Sequence, residues 1–192
     1  MVMQKRGVAS RADIISAARA EIMDVGFEKM SITSIGARTG GSRSLFYHYF
    51  KNKDEVATAV LDDVIDEFLA KLTEWNDARE PGDISRALDE AIELMRSIIN
   101  DDGPFHHQLV SGPNASLYMA FTDRTARKVA DYISRTTVRD FADKHPVEIE
   151  YVPETFYMLV VGLVSLIRSN PSISNRAIKQ IAGQTLHLDK YL

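Results

Sequence analysis

Three serines in the first quarter of this chain each stand at the head of an apolar run with helical spacing, and glycines close the first two runs. Ser10 precedes Ile14, Ala17, Ala18, Ile22 and Val25, and Gly26 follows them. Ser31 precedes Ile32 and Ile35, with Gly40-Gly41 behind, and Ser42 precedes Phe46 and Phe50. A serine hydroxyl at an N-cap accepts from an orphan amide of the first turn, and a glycine past the last turn takes a backbone conformation that other residues avoid. Three short helices joined by tight turns are therefore expected before Lys53, the first opened by a capping box of Ser10 and Asp13.

The rest of the chain also reads as helix. A long fourth helix carries Val56, Val60, Val64, Leu69, Leu72 and Trp75 up to Pro81-Gly82, with Asp54-Glu55 complementing its N-terminal dipole. A fifth runs from Asp83 to about Ile99, and Asp101-Asp102-Gly103-Pro104 breaks it. A short helical turn is expected before Ser111-Gly112-Pro113. One long helical segment follows from Ala115 to Lys144 and ends at His145-Pro146. Two more helices, about Pro153 to Arg168 and Asn175 to Leu188, flank the Asn170-Pro171 break. No segment has the alternation of a strand, so the expected class is all-α with about nine helices.

The 192 residues include no cysteine, which excludes disulfides, thiolate metal sites and a cysteine nucleophile. The N-terminus has no apolar run of signal-peptide length, and the apolar stretch from Phe156 to Ile167 is too short on its own to span a bilayer. A soluble, cytoplasmic protein with no membrane partner is expected. The net charge of −4 hides a division: residues 1–55 hold nine Lys/Arg against six Asp/Glu, and the remainder fourteen against twenty-one. A basic end on an acidic body points to a polyanionic partner for the first segment alone.

The stretch Thr39 to Lys53, TGGSRSLFYHYFKNK, says how that partner would be met. With Ser42 as N-cap, Phe46 and Phe50 share one helix face, which suits packing on the first two helices. Arg43 and Tyr47 share another face, with Ser44 and His48 beside it. A helix closed by Gly-Gly, a tight turn and a second helix with a donor-rich outer face is the helix-turn-helix arrangement, whose second helix enters the DNA major groove. Arg43 can donate a bidentate pair to guanine, Tyr47 and Ser42 can donate to phosphates, and Thr33 can reach backbone or a base edge. Lys53, at the start of the fourth helix, can meet a phosphate together with that helix's amides. Lys5, Arg6 and Arg11 form either a solvated tail or an arm into a minor groove.

Residues Gly26 to Val60, GFEKMSITSIGARTGGSRSLFYHYFKNKDEVATAV, resemble the signature of the TetR family of transcriptional repressors. Gly26-Phe27, Ser31, Ile35, Gly40, Ser42, Tyr47, Phe50 and Lys53 match that pattern at its spacing. Gly36, Thr39, Gly41, Phe46 and Tyr49 depart from the usual Ala, Ala, Val, Leu and His. Tyr49 keeps a donor where relatives contact the DNA backbone. The resemblance implies a DNA-binding domain over residues 1–53 and a helical effector-binding and dimerisation domain over 54–192. The expected DNA contacts are Ser31, Thr33, Ser42, Arg43, Ser44, Tyr47, His48, Tyr49 and Lys53, on a double-stranded palindromic operator.

For the body the resemblance extends only to helix number and order. It implies a pocket among the middle helices for a small, largely apolar effector. Candidate linings are Trp75, Met95, Phe105, His106, Tyr118, Met119, Phe121 and Tyr132, since rings bury area and methionine adapts to irregular shapes. It also implies a homodimer through the last two helices, with Phe156, Leu159, Val160, Leu163, Ile167, Ile178, Ile181 and Leu186 as interface candidates. Gly162 and Ser165 would let such helices approach closely. The expected function is a ligand-released repressor without cofactor, metal or catalytic residues. The competing reading is a helical hydrolase or metal-dependent enzyme built around His106 and His107, for which no motif or diagnostic spacing exists.

Overall fold

The computed structural model describes residues 10–80, 82–100 and 115–192. Among them are nine α-helices and a closing 3-10 turn, with no strand. The helices are α1 (Arg11–Val25), α2 (Ile32–Thr39), α3 (Arg43–Tyr49), α4 (Lys53–Ala78), α5 (Ile84–Asn100), α6 (Ala115–Arg135), α7 (Thr137–Ala142), α8 (Val152–Ser169) and α9 (Asn175–Leu186). The 3-10 turn spans Asp189–Tyr191. The expected breaks at 101–104 and 111–113, the helical turn between them, and the basic residues Lys5 and Arg6 lie outside the described residues.

The chain divides into two compact units, residues 1–65 with 104–118, and residues 66–103 with 119–192. The expected domain boundary, after residue 53, falls at the start of α4, whose first half belongs to the first unit and whose second half belongs to the other.

In the first unit the serine brackets form as their chemistry dictates. The Ser10 hydroxyl accepts from the Asp13 amide while the Asp13 carboxylate accepts from the Ser10 amide. Ser31 and Ser34 repeat that reciprocal arrangement on α2, and Ser42 accepts from the Leu45 amide to start α3. Gly26 and Gly40 close the first two helices at φ 84° and 67°, and at Gly40 a left-handed residue lets α2 stop and α3 begin three residues on. Ile14, Ala18, Ile22, Met30, Ile35, Phe46, Phe50, Val56 and Val60 are all at most 2% exposed. Each large side chain among them contributes about 1.5–3 kcal/mol relative to exposure, so this small unit rests on a dense apolar centre.

The second unit is built on α5, α8 and α9, which pack against one another. Ile92, Ile99, Leu163, Ile167 and Ile178 form its buried cluster, with Met95, Leu159 and Ile173 packed against it. Arg96 on α5 ties down the turn between α8 and α9, donating to Asn175 Oδ1 at 2.5 Å and to the carbonyls of Pro171 and Ile173. Lys179 on α9 returns the bond by donating to Ser85 and Asp89 on α5, both at 2.7 Å.

Two expectations need correction. The segment from Ala115 to Lys144 is not one helix: it breaks at Thr136, whose backbone sits at φ −117°, ψ −84°. The hydroxyls of Ser134 and Thr136 donate back to the carbonyls of Ala130 and Tyr132 at 2.6 and 2.8 Å, the competition that bends helices at such residues. The apolar stretch from Phe156 to Ile167, expected to be too short to span a bilayer, lies within a longer helix, α8, whose ends agree with the expected Pro153 to Arg168 to within a residue. α8 has 18 residues with a mean hydropathy of 1.3, enough by length and composition to cross a membrane, and only 11% of it is buried within the chain. Glu154 and Arg168 stand at its two ends, and its buried residues Leu163 and Ile167 belong to the cluster with α5 and α9.

Candidate nucleic-acid interface and ligand cavity

The third helix has two opposed faces. Phe46 and Phe50 are each 2% exposed, and their ring centroids lie 5.8 Å apart. On the other side Arg43, Ser44 and His48 are exposed, and Tyr47 is 55% exposed. Tyr47 still leans edge-on against Phe46 at 5.7 Å, which sets the direction of its hydroxyl. Neither the Arg43 guanidinium nor the Tyr47 hydroxyl has a hydrogen-bond partner among the described residues. Burying one stripe therefore presents the other as unspent donors on a short, rigid rod. Tyr49 is half-buried with its ring against His48 at 4.8 Å.

The turn ahead of this helix is braced by two of the residues that depart from the usual pattern, Thr39 and Gly36. Thr39 donates to the carbonyls of Ile35 and Gly36 and accepts from the Gly41 amide at 3.2 Å, so its hydroxyl staples the Gly-Gly turn to α2. At Gly36 a Cβ would stand 3.1 Å from the Gly41 carbonyl oxygen. The glycine permits that close approach, an advantage set against its lower helix propensity.

Of the remaining expected contact residues, Thr33 is exposed on α2. The Ser31 and Ser42 hydroxyls are already used as caps, though both residues remain exposed. Lys53 opens α4, as expected, and also reaches back to the loop after α1. Its ammonium donates to the carbonyls of Phe27 and Glu28 at 3.3 and 3.1 Å and lies 4.7 Å from the Phe27 ring centroid. It thus closes the loop after α1 onto the start of α4.

On α1, facing α2, Glu21 is the buried charged residue among the described residues, 6% exposed. It accepts from Arg38 Nε at 2.5 Å, and Arg38 also bonds Asp24. The Ser34 hydroxyl and then Arg38 hold the Glu21 carboxyl below its ordinary value of 4.5. A depressed carboxyl stabilises the fold fully above its unfolded-state value, and the contribution is lost as pH falls through the folded-state value. Glu21→Gln is accordingly expected to lower the urea midpoint at pH 7, and the gap to wild type should close as pH drops below about 4.5. A gap that stays constant down to the acid limit would mean that charge is not what Glu21 contributes.

The second unit contains a cavity of about 460 Å³. Its walls come from the end of α4 (Trp75, Arg79), the start of α5 (Ile84, Ala87, Leu88), Ile133 of α6, Val138 and Phe141 of α7, the following loop, Phe156 of α8, and Leu186 to Leu188. The size is typical of small-molecule sites, as are mostly apolar walls with a few polar groups. Of the expected pocket residues only Trp75 is in this wall. Met95 packs on the α5–α8–α9 cluster, Phe121 lies 5.9 Å from Phe68, and Met119 is 70% exposed. Tyr118 and Tyr132 are half-buried elsewhere. Phe105, His106 and His107 lie outside the described residues. Phe156 and Leu186, read from sequence as dimer contacts, line the cavity. The loop from Asp143 to Ile149, seen in the sequence only as a helix end, supplies one side of it.

The expected dimer residues also separate. Leu163, Ile167, Ile178 and Leu186 are buried within the chain, and Leu159 packs on them. Val160 is half-buried, while Ile181 is 37% exposed. The outward face of α8 is instead Met158, 64% exposed, with Gly162 and Ser165. A Cβ added at Gly162 would meet nothing within 4 Å. Among the described residues no group of three or more His, Asp or Glu could hold a metal ion.

Residues 14–60 match the family described as bacterial regulatory proteins, tetR family. The whole chain is similar in fold to SmeT, the repressor of the Stenotrophomonas maltophilia multidrug efflux pump SmeDEF, at TM-score 0.56 and 22% identity over 96% of this chain and 89% of that one. It is also similar to the fatty acid degradation regulator FadR from Bacillus halodurans, at TM-score 0.63 and 14% identity over 95% and 96%. A TetR transcription regulator from Haloarcula marismortui gives TM-score 0.63 and 15% identity over 92% and 96%. No curated protein matches the chain. The segment containing α1 to α3 is thus of the TetR type, and the chain as a whole has the fold of TetR-family regulators.

Proposed function

We propose that this chain, with its TetR-family reading segment and TetR-like fold, is a dimeric repressor that leaves a palindromic operator when a small, largely apolar molecule fills the cavity of its second unit. The observation that carries this reading is the pair of opposed stripes on α3. Phe46 and Phe50 are buried, so the Arg43 guanidinium and the Tyr47 hydroxyl face outward without a hydrogen-bond partner among the described residues, at the position where a helix-turn-helix meets base edges and phosphates. The basic balance of residues 1–55 on an otherwise acidic chain supports a polyanion there and nowhere else. Similarity to a repressor of an efflux pump favours repression, and a cavity of about 460 Å³ gives an effector somewhere to bind. Such a protein works in the cytoplasm, where its operator is.

Two reading helices on a two-fold protein meet successive major grooves about 34 to 36 Å apart. An effector acts by preferring the state that cannot hold this spacing, through a coupling of about 1–3 kcal/mol. The helix available to carry it is α4. Lys53 at its beginning holds the loop carbonyls of the first unit, and Trp75 near its end lines the cavity of the second.

The test is a binding titration on the DNA upstream of the protein's own gene, at two salt concentrations, beside a scrambled duplex. Selective binding that weakens steeply with salt is expected, because each neutralised phosphate releases counterions. A folded, ligand-free dimer that binds no duplex at low salt would defeat the reading.

A further inference from the structure

Arg43 stands at the N-terminal end of α3, and packing does not hold that end. Phe46 and Phe50 anchor the middle and the far end, whereas Ser42, Arg43 and Ser44 are all exposed. Apolar contact is non-directional, so two buried rings keep α3 against the unit without fixing the way its first turn points. Recognition demands more, since a side chain that reads a base edge must be held to within about 0.5 Å. The direction has to come from the turn.

Two residues of α2 act on Gly41, one on each side of it. The Gly41 amide donates to Thr39 Oγ1 at 3.2 Å. That hydroxyl shares its own proton between the carbonyls of Ile35 at 3.2 Å and Gly36 at 3.3 Å. The chain past a helix end is commonly fastened by an amide that bonds a last-turn carbonyl directly. Here a side-chain hydroxyl stands between the two. On the other side, a Cβ at position 36 would lie 3.1 Å from the Gly41 carbonyl oxygen, so the bare glycine lets that carbonyl approach α2. The next residue is Ser42, whose hydroxyl and carbonyl accept from the first free amides of α3. Amide and carbonyl of Gly41 are thus both placed by α2, one residue before the reading helix is capped. Thr39 itself is half-buried, with its hydroxyl engaged inside the turn.

We propose that Thr39 is a positioning residue for DNA reading: its hydroxyl, acting through Gly41, sets the direction in which α3 leaves the turn and so where Arg43 points. This rests on α3 being the reading helix, and it adds a residue that governs the contact without making one.

Thr39→Val keeps the branched shape and removes the hydroxyl, whereas Thr39→Ser keeps the hydroxyl and removes the methyl group. On the DNA upstream of the protein's own gene, fluorescence anisotropy should find Thr39→Val bound about tenfold more weakly than wild type, with its affinity for a scrambled duplex unchanged. Thr39→Ser should bind as wild type does. A hydroxyl that only stabilised the unit would lower the urea midpoint and leave the affinity of the folded protein untouched. The titrations are therefore made without denaturant, with circular dichroism confirming the helices.

Orientation is read separately, without DNA. Residual dipolar couplings of the backbone amides in Thr39→Val should fit the wild-type arrangement across α1 and α2 and depart from it in α3. Thr39→Ser should fit throughout. Operator binding by Thr39→Val at wild-type strength, binding by Thr39→Ser as weak as by Thr39→Val, or α3 couplings that keep their wild-type fit would each overturn the proposal. A wild-type protein that binds no duplex removes the repressor reading, and the couplings then decide whether Thr39 aims α3.

Discussion

Arg43→Ala should weaken operator binding by about 1–3 kcal/mol for each contact removed, roughly 5- to 150-fold, and a two-fold protein loses the contact twice. The reason lies in what the side chain is not doing. Arg43 is exposed and has no partner among the described residues, so its removal leaves the fold of the first unit with its apolar centre intact. Arg43→Lys separates the two roles open to it. Lysine keeps a charge for phosphate but cannot make the planar bidentate pair with guanine, so loss of selectivity with retained salt-sensitive binding would place Arg43 on a base. Tyr47→Phe gives the parallel test, because it keeps the ring that rests on Phe46 and removes only the hydroxyl. Fluorescence anisotropy on a labelled operator reads all three. Normal binding by both Arg43→Ala and Tyr47→Ala would mean that the outward stripe of α3 is not the reading face.

Gly162→Arg should leave each protomer folded and abolish the dimer. Within one chain the position is open, and replacing glycine in a helix interior by arginine favours the helix by close to 1 kcal/mol. On the proposed dimer, the same face of α8, with Met158 and Ser165, lies against a second copy. There, a long charged side chain must be buried without a partner or hold the helices apart. A loss of at least about 2 kcal/mol, some 30-fold in the dimer dissociation constant, is expected from disturbing the centre of such a contact. Sedimentation velocity reads the mass, and far-ultraviolet circular dichroism checks the helices. A variant that remains a dimer with wild-type affinity would show that this face of α8 is not the one that pairs. The low burial of so apolar a helix within its own chain would then need a different cover.

The parts of the fold that were legible in the sequence are those set by neighbours three or four residues apart. Ser10 with Asp13, Ser31, Ser42 and the Phe46–Phe50 pair act within one or two turns, and the structure forms each of them as local chemistry dictates. Local reading fails where a residue has two local options. Thr136 can keep helical backbone angles or leave them, and at φ −117°, ψ −84° it leaves them, so one expected helix becomes α6 and α7. For Lys53 it sees a cation at a helix start and gives no sign of the two distant carbonyls that its ammonium meets.

The cavity was the least legible feature. Its walls come from positions as far apart as Trp75 and Leu188, and no spacing within the sequence brings those together. Phe156 and Leu186 lie on apolar helices that looked like pure interface, whereas those helices divide their sides among the inner cluster, the cavity and the exterior. Composition does indicate that helices near the end of the chain are apolar. It does not say which of several surfaces each apolar residue serves.

The uninterrupted length of α4 has a consequence of leverage. Its 26 residues make a rod of about 39 Å at the ordinary rise of a helix. Without proline or glycine inside it, such a rod tilts more readily than it bends. A swing of about 5° over that length carries one end roughly 3 Å sideways. Within the first unit, the Lys53 bonds to the carbonyls of Phe27 and Glu28 tie the loop after α1 to the start of that rod. In the proposed repressor, a sideways movement of that size is comparable to the spacing between successive base pairs.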